Sequence, residues 1–148
     1  MAESSRTAQI VIGVDPGAST GIAVYKEGVL WKLETISPHQ ITGYLSAGRP
    51  SRVIFEDSRL TSFMFTTVKS RPVALSMARK VGQVDGYCNL ITAICADLGI
   101  PSHGISPKAK GAKLNAEQFA KATGWSGKSN QHERDSAIVA FPYRRAAK

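Results

Sequence analysis

The sequence predicts an α/β layer fold in which a mixed five-stranded sheet carries helices on both faces. Three apolar segments with strand-like composition follow one another near the N-terminus, at residues 9–15, 20–26 and 29–36. A short helical segment then leads to a fourth apolar run at 52–56, and the remaining chain alternates between helical and strand-like patterns. Consecutive strands followed by strand–helix alternation are typical of a sheet between layers of helices.

The chain has 148 residues and a formal net charge of +8, which favour one domain and a polyanionic partner. We expect a disordered lead-in at 1–8, a single domain at 9–142 and a basic tail at 143–148. The apolar runs are too short to cross a membrane and the N-terminus lacks a signal-peptide core, so a cytoplasmic protein is the default. Charge alone also allows a basic surface that serves only solubility.

The first three strands are predicted to form an antiparallel meander, with a tight turn at Glu27-Gly28 between the second and third. Ser37 and Pro38 begin a short helix that ends at Gly48. A strand reached through a helix crosses over the sheet, so the fourth strand is predicted to pair in parallel with the first.

The longest helix is predicted at residues 74–98, after a long basic and aromatic loop at 57–73. Apolar residues form a continuous seam along this helix, which packs on the sheet or, in part, against a second copy of the protein. Its two cysteines, Cys88 and Cys95, are predicted to be buried reduced thiols. The members of the seam are Met77, Val81, Val84, Cys88, Ile91, Cys95 and Leu98.

The C-terminal third is predicted to hold a fifth strand and two helices. The strand spans 100–105, and Pro101 within it favours the sheet edge. A loop at 106–113 leads to a helix at 114–123, and the last helix runs over 131–141.

Acidic residues stand at the ends of two predicted buried strands. Asp15 ends the first strand, on the face of Val11 and Gly13, and Glu56 ends the fourth, on the face of Ile54. A buried carboxylate is unfavourable unless a cation meets it. Parallel pairing of the two strands would bring these carboxylates together, although Glu56 taken alone also suits a surface position beyond the sheet edge.

His132 and Asp135 lie three residues apart at the start of the last predicted helix, so they share one face. An Asp there also suits the helix dipole without any further role. With Asp15 and Glu56, the pair predicts an oxygen-rich cluster for one or two Mg²⁺ or Mn²⁺ ions. Such ions activate water and stabilise the leaving oxygen of a phosphodiester. His132 either ligates a metal, favouring Mn²⁺, or acts as an acid or base on the water.

Basic and aromatic residues in the predicted loops and the long helix favour nucleic-acid binding. Phe63 and Phe65 either stack on or wedge between bases, or form a small core beneath their loop. Phosphate contacts are predicted for Arg59, Lys69, Arg71, Arg79, Lys80, Lys108, Lys110 and Lys113.

Four segments resemble the RuvC family of Holliday junction resolvases, in the ribonuclease H-like superfamily. They are Asp-x-Gly-x-x-Thr-Gly at 15–21, the strand-end Glu56, Gly82-Gln83-Val84-Asp85-Gly86, and His132-Glu133-Arg134-Asp135-Ser136-Ala137. The acidic strand end is shared by the whole superfamily, including ATP-binding kinases, whereas the two helical segments are more specific. Together the four segments span nearly the whole chain in order.

The resemblance implies a ribonuclease H-like sheet and a homodimer, formed partly through the 74–98 helix, that nicks four-way DNA junctions symmetrically in recombination and repair. It also implies that Asp15, Glu56, His132 and Asp135 are the catalytic and metal-binding residues. The stretch between Glu56 and the Gly-Gln segment is longer here than in bacterial members, so junction contacts and sequence preference are expected to differ. The compact size suits a phage or otherwise divergent member.

The sequence is also compatible with two other functions. The same scaffold serves nucleases that act on other branched DNA or on RNA/DNA hybrids. A non-catalytic nucleic-acid-binding module, in which the turn after Asp15 cradles a phosphate, would also fit the basic composition.

Overall fold

A computed structural model describes residues 8–61 and 70–145, which contain one five-stranded sheet of order β3-β2-β1-β4-β5. The first three strands pair antiparallel, β4 pairs in parallel with β1, and β5 pairs in parallel with β4 at the edge. The predicted mixed sheet, its parallel crossover and the edge position of the fifth strand are confirmed. The strands are β1 (Ile10–Asp15), β2 (Thr20–Lys26), β3 (Val29–Ile36), β4 (Arg52–Glu56) and β5 (Ser102–Ile105).

Helices cover both faces of this sheet, as predicted. One core lies beneath α1 and α2 and is built around Ile12, Phe55 and Ile91, and the other lies beneath α4 and α5 and is built around Ile54 and Phe119. Strand side chains alternate between these two cores. The helices of the described residues are α1 (Ile41–Gly48), α2 (Arg71–Leu98), α3 (Pro107–Lys110), α4 (Ala116–Thr123) and α5 (Gln131–Ala140).

The apolar seam of the long helix packs on the sheet in its second half. Cys88, Ile91 and Cys95 are buried there, whereas Met77 and Leu98, at the two ends of the seam, are exposed. Both cysteines are free and buried, as predicted, and burial raises the pKa of the Cys95 thiol to about 11. Packing on the sheet therefore buries only part of this apolar seam.

The predicted loop at 57–73 is wrong at both ends. It begins with a 3₁₀ turn, Ser58–Leu60, and it ends early because α2 already starts at Arg71. The Ser70 side chain caps α2, and Pro72 suits the first turn, where its missing N–H is not needed. Among the residues between these elements, Phe63, Phe65 and Lys69 lie outside the described residues.

Two further boundaries differ from expectation. The predicted loop at 106–113 contains the single turn α3, which Pro107 opens. The fifth strand is shorter than 100–105 because Pro101 has no N–H to donate, although its carbonyl accepts a hydrogen bond from the Val53 N–H. The helix predicted to begin at Ser37 and Pro38 starts instead with a 3₁₀ turn, Pro38–Gln40, and becomes α1 only at Ile41. The ends of the other elements differ by at most two residues, the usual scatter of such boundaries.

The lead-in and the tail lie mainly outside the described residues and stay predictions. The described start of the tail packs on the domain, since the guanidinium of Arg52 donates hydrogen bonds to the carbonyls of Tyr143 and Arg145. In the described part of the chain, no helix is long and apolar enough to cross a membrane.

Helix α5 lies directly on β1 and β2 because two glycines leave room for its backbone. A Cβ at Gly13 would collide with the carbonyl oxygen of Ser136 and lie 2.8 Å from the Cβ of Ala140. A Cβ at Gly21 would collide with the carbonyl oxygen of His132. The first turn of α5 is thereby seated at the carboxyl end of β1.

We expect Gly21→Ala to lower the free energy of unfolding by about 1–3 kcal/mol, because α5 must move away from the sheet. Gly43→Ala is the matched control, since a Cβ at this α1 position meets no described atom within 4 Å. The control should be neutral or more stable, by about 0.4–1 kcal/mol. Urea unfolding followed by circular dichroism measures both, and equal stability of Gly21→Ala and the wild type would contradict the close seating of α5.

Candidate metal centre

Three carboxylates from three separate elements meet at the carboxyl ends of β1 and β4. Asp15 and Glu56 end neighbouring parallel strands, directly after the paired residues Val14 and Phe55, and both point to the face that α5 covers. Asp135 comes from α5 and lines the same cavity of about 520 Å³. Three of the four residues predicted for the metal site are therefore brought together although they lie far apart in sequence.

The fourth predicted residue, His132, stands at the mouth of this cavity. Its Nδ1 lies 3.5 Å from Oδ2 of Asp15, and its ring is about half exposed. Asn130 caps the N-terminus of α5, the helix that carries His132, because its side chain accepts a hydrogen bond from the Glu133 N–H. His132 thus links the buried carboxylates with solvent.

A lysine occupies the space between the carboxylates. Lys110 Nζ lies 2.8 Å from Oε2 of Glu56 and 3.8 Å from Oδ1 of Asp135, and its side chain is only 6% exposed. Lys113 is 70% exposed and its Nζ lies 3.9 Å from Oδ2 of Asp135. The sequence predicted both lysines as phosphate contacts, but it gave no sign that Lys110 reaches the acidic cluster.

The concentration of negative charge changes the acidity of Asp15. Burial, the largest cause, and repulsion from Glu56 and Asp135 together raise the pKa of this carboxyl to about 7, against the opposing effects of Lys110 and the hydrogen bond with His132. A carboxyl of this kind holds its proton readily unless more positive charge arrives.

The donor types suit Mg²⁺ or Mn²⁺, because carboxylate oxygens and one imidazole line the same cavity. The excess negative charge that raises the pKa of Asp15 also fits a site that accepts a cation. In the described ranges, however, no three His, Cys, Asp or Glu side chains are spaced to share one ion. The residues therefore fit a metal by chemistry, while their present spacing is set around the Lys110 ammonium.

Side chains behind the cluster hold its members in place. Gln131 Nε2 donates to Oδ1 of Asp135 at 2.8 Å, and Arg134 donates to Oε1 of Gln131 and to the carbonyls of Leu114 and Ser129. Arg134 thereby fastens the loop before α5 to the start of that helix. No local pattern indicates these contacts, since they depend on how the loop folds back.

The segment after Glu56 is fastened to α2. The Ser58 hydroxyl donates to Oδ1 of Asp85 at 2.6 Å, and the Cys88 thiol lies 3.6 Å from the carbonyl oxygen of Glu56. Asp85 belongs to the Gly-Gln segment that resembles the RuvC family, and its neighbour Val84 lines the cavity. This segment of α2 thus supports the strand end that carries Glu56.

Arg59, predicted as a phosphate contact, has its guanidinium engaged within the chain. It donates twice to the buried Asp57, at 2.8 Å from both Nε and Nη2, and also to Asn89 and Thr92 of α2. These hydrogen bonds hold the pKa of the Asp57 carboxyl below its usual value. Gly104 gives Asp57 its place, because a Cβ there would lie 2.8 Å from that of Asp57.

The remaining described residues that the sequence predicted as phosphate contacts are exposed and do not line the cavity. They lie on the first half of α2 and on α3. They are Arg71, Arg79, Lys80 and Lys108.

Comparison with known proteins is informative at the level of structure. No protein-family model and no curated protein matches the chain. It is similar to Thermus thermophilus RuvC in complex with Holliday junction substrate, with a TM-score of 0.60, 18% identity and 90% coverage of each chain. The chain has the fold of RuvC. A second structure of T. thermophilus RuvC gives a TM-score of 0.58 at 16% identity, covering 90% of this chain and 92% of that one.

The likeness to RuvC confirms the predicted ribonuclease H-like fold and agrees with the motif resemblance. At 18% identity it establishes the fold alone and not the activity, the metal or the partners.

We expect the stability of the metal-free protein to fall between pH 5 and pH 8, partly through Asp15. Folding raises the pKa of this carboxyl from 3.8 to about 7, so at pH 5 the folded state holds a proton that the unfolded chain has released. Stability from this group is therefore lost as the pH rises through 7. Asp15→Asn should gain on the wild type over this interval by on the order of 2 kcal/mol.

Urea unfolding in EDTA at several pH values tests this expectation. The exposed Asp97 of α2 provides the control, as Asp97→Asn should follow the wild type at each pH. Parallel curves for Asp15→Asn and the wild type would show that Asp15 titrates normally.

We expect Arg59→Ala to destabilise the protein by about 1–3 kcal/mol, because it removes both guanidinium donors from the buried Asp57 carboxylate and leaves only the backbone N–H of residue 59. Adding Asp57→Asn should recover part of the loss by removing the uncompensated charge. Arg79→Ala, at an exposed position of α2, should change stability by less than about 0.5 kcal/mol. Thermal unfolding measures the stability of the wild type and the three variants. Equal effects of Arg59→Ala and Arg79→Ala would contradict the stabilising role of the Arg59–Asp57 pair.

Proposed function

We propose that this chain is a metal-dependent endonuclease that resolves four-way DNA junctions by paired symmetric nicks, in recombination and repair. The observation that carries the proposal is the meeting of Asp15, Glu56 and Asp135 at one cavity, on a chain with a net charge of +8. The shared fold supports it, since one of the similar structures is RuvC in complex with Holliday junction substrate.

In this proposal the acidic cluster holds one or two Mg²⁺ or Mn²⁺ ions. Asp15 and Asp135 would hold the ions, and Glu56 would complete the ligands of one of them. Ions bound there supply a nucleophilic water at neutral pH and stabilise the leaving oxygen of the phosphodiester. His132, with Nδ1 beside Asp15 and its ring half in solvent, either adds a ligand, which favours Mn²⁺, or carries a proton between the cavity and solvent.

Basic side chains around the cavity position the DNA. Lys113 lines the cavity with its ammonium largely exposed, so it is able to reach a phosphate near the carboxylates. Lys80 lies one helical turn before Val84, which also lines the cavity. Contacts of this kind hold the backbone without reading its sequence. In the proposal Arg71, Arg79 and Lys108 add such contacts, as does Lys69 outside the described residues. Phe63 and Phe65, also outside the described residues, stack on or wedge between bases or form a small core beneath their loop.

Two symmetric nicks require two active sites, which a homodimer provides. The first half of α2 leaves Val73, Leu75 and Met77 exposed in the single chain. A Cβ at Gly82 or Gly86 would meet no described atom within 4 Å, so another backbone has room to approach there. These features favour a second copy against the first half of α2, since the second half is buried on the sheet.

A non-catalytic nucleic-acid-binding protein is the second candidate. It is favoured by the spacing of the His, Cys, Asp and Glu side chains in the described residues, no three of which are placed to share one ion. The Lys110 ammonium would then be a permanent partner of Glu56. A nuclease for other branched DNA or RNA/DNA hybrids has the same site requirements as the junction resolvase, so only substrates distinguish these two.

We expect the wild type to nick a mobile four-way junction symmetrically in Mg²⁺ or Mn²⁺, to leave linear duplex intact, and to be inactive in EDTA. Asp15→Asn should lower the cleavage rate at least about a hundredfold, the scale seen when one electrostatic partner of a transition state is lost. Junction binding in Ca²⁺ or EDTA should be retained, because it depends on the basic side chains. Gel assays of cleavage and binding measure both quantities.

Glu117→Gln is the matched control, because its carboxylate is 81% exposed on α4, away from the cavity. It should cleave like the wild type. Tight binding without cleavage in either metal would support the non-catalytic candidate, and faster cleavage of hybrids or flaps would support the other nuclease. Loss of junction binding in folded Asp15→Asn would contradict the separation between binding and cleavage.

A further inference from the structure

Lys110 is buried in a way that phosphate contact does not explain. A lysine side chain is rarely buried unless a partner neutralises it, and that of Lys110 is 6% exposed. Its ammonium meets two of the three carboxylates, at 2.8 Å from Glu56 and 3.8 Å from Asp135, and it also lowers the pKa of the third, Asp15. One ammonium thus lies among three carboxyl groups.

A divalent ion at this cluster would share the Glu56 carboxylate with Lys110. Oε2 of Glu56 accepts a hydrogen bond from Lys110 Nζ, and ligation to a metal would use the same carboxylate. Two cations in one place repel each other strongly where water is scarce. Two of the described carboxylates, Glu56 and Asp135, lie 2.8 Å and 3.8 Å from the ammonium, whereas no three described His, Cys, Asp or Glu side chains are placed to share one ion.

We propose that Lys110 is the counterion of the metal-free site and that it must leave Glu56 when a divalent ion binds. The lysine is therefore a competitor of the metal, and it is separate from the residues that ligate the ion. This inference rests on the metal site in the proposed function, and it adds a step that controls how the site is loaded.

The backbone around Lys110 is suited to such an exchange. Lys110 ends the four-residue helix α3, and Gly111 follows with φ of +85° and with no described atom within 4 Å of a Cβ placed there. Asp15 and Glu56 sit instead in paired strands of the sheet. Movement of α3 would withdraw the ammonium without disturbing the carboxylates.

The competition has two opposite consequences for a variant that loses the charge. Lys110→Met keeps a long unbranched side chain, but it leaves the three carboxylates without their ammonium. The metal-free protein should be less stable than the wild type, because the carboxylates repel one another. Its affinity for Mn²⁺ should rise by about tenfold, within the usual range for coupling between two sites, since no cation has to be displaced.

Calorimetric titration of the metal-free full chain with Mn²⁺, without DNA, tests the inference. The wild type is compared with Lys110→Met, with Lys110→Arg, which keeps the charge, and with Lys108→Met on the exposed side of α3. Tighter binding by Lys110→Met alone supports the inference. Equal or weaker binding by folded Lys110→Met overturns it while leaving the metal site intact, and failure of all four proteins to bind Mn²⁺ contradicts the proposed function as well.

Amine labelling of the wild type gives a test that needs no variant. Reductive methylation with formaldehyde, followed by mass spectrometry of peptides, should spare Lys110 in EDTA and modify it in saturating Mn²⁺. Lys113, with its side chain 70% exposed, should be modified in both conditions and serves as the internal control. Equal protection of Lys110 with and without Mn²⁺ would show that the ammonium stays in place, and it would overturn the inference even if Lys110→Met does not fold.

Discussion

The close approach of α5 to the sheet is the constraint on which the rest of the site depends. A helix backbone lies this near two strands only where the strands lack side chains, and Gly13 and Gly21 provide that gap. The first turn of α5 therefore reaches the carboxyl end of β1, where His132 meets Asp15. Parallel pairing of β4 with β1 adds Glu56 at the same edge. A Cβ at either glycine would collide with the backbone of α5, which carries Asp135 and His132.

Assembling three carboxylates at one place creates an electrostatic cost that the chain balances itself. Burial and repulsion raise the pKa of Asp15 to about 7, and the Lys110 ammonium opposes this rise. The sheet and α5 hold the acidic residues, whereas the lysine comes from a single helical turn next to a glycine. Because the anions are held firmly and the ammonium is not, another cation could replace the ammonium. This property fits the proposed metal-dependent function.

Most of the fold followed from local patterns in the chain. The second, third and fourth strands have the predicted bounds, because short apolar runs between turn residues leave little freedom in where a strand begins or ends. The start of α2 was missed because Pro72 and the basic residues near it are as typical of a loop as of a first helical turn. The turn α3 was missed because four residues carry no helical period.

The sequence by itself determined which residues are able to bind a metal and on which elements they lie, since Asp15 and Glu56 end apolar runs and His132 and Asp135 share a helical face. Only the tertiary structure decided which other side chains contact them. Lys110 looked like one more surface lysine, and only the path of the chain after β5 places its ammonium against Glu56. Likewise, the guanidinium of Arg59 binds Asp57 and donates hydrogen bonds to Asn89 and Thr92 of α2. The physical reason is that charge interactions act through space, while patterns along the chain record only neighbours in sequence.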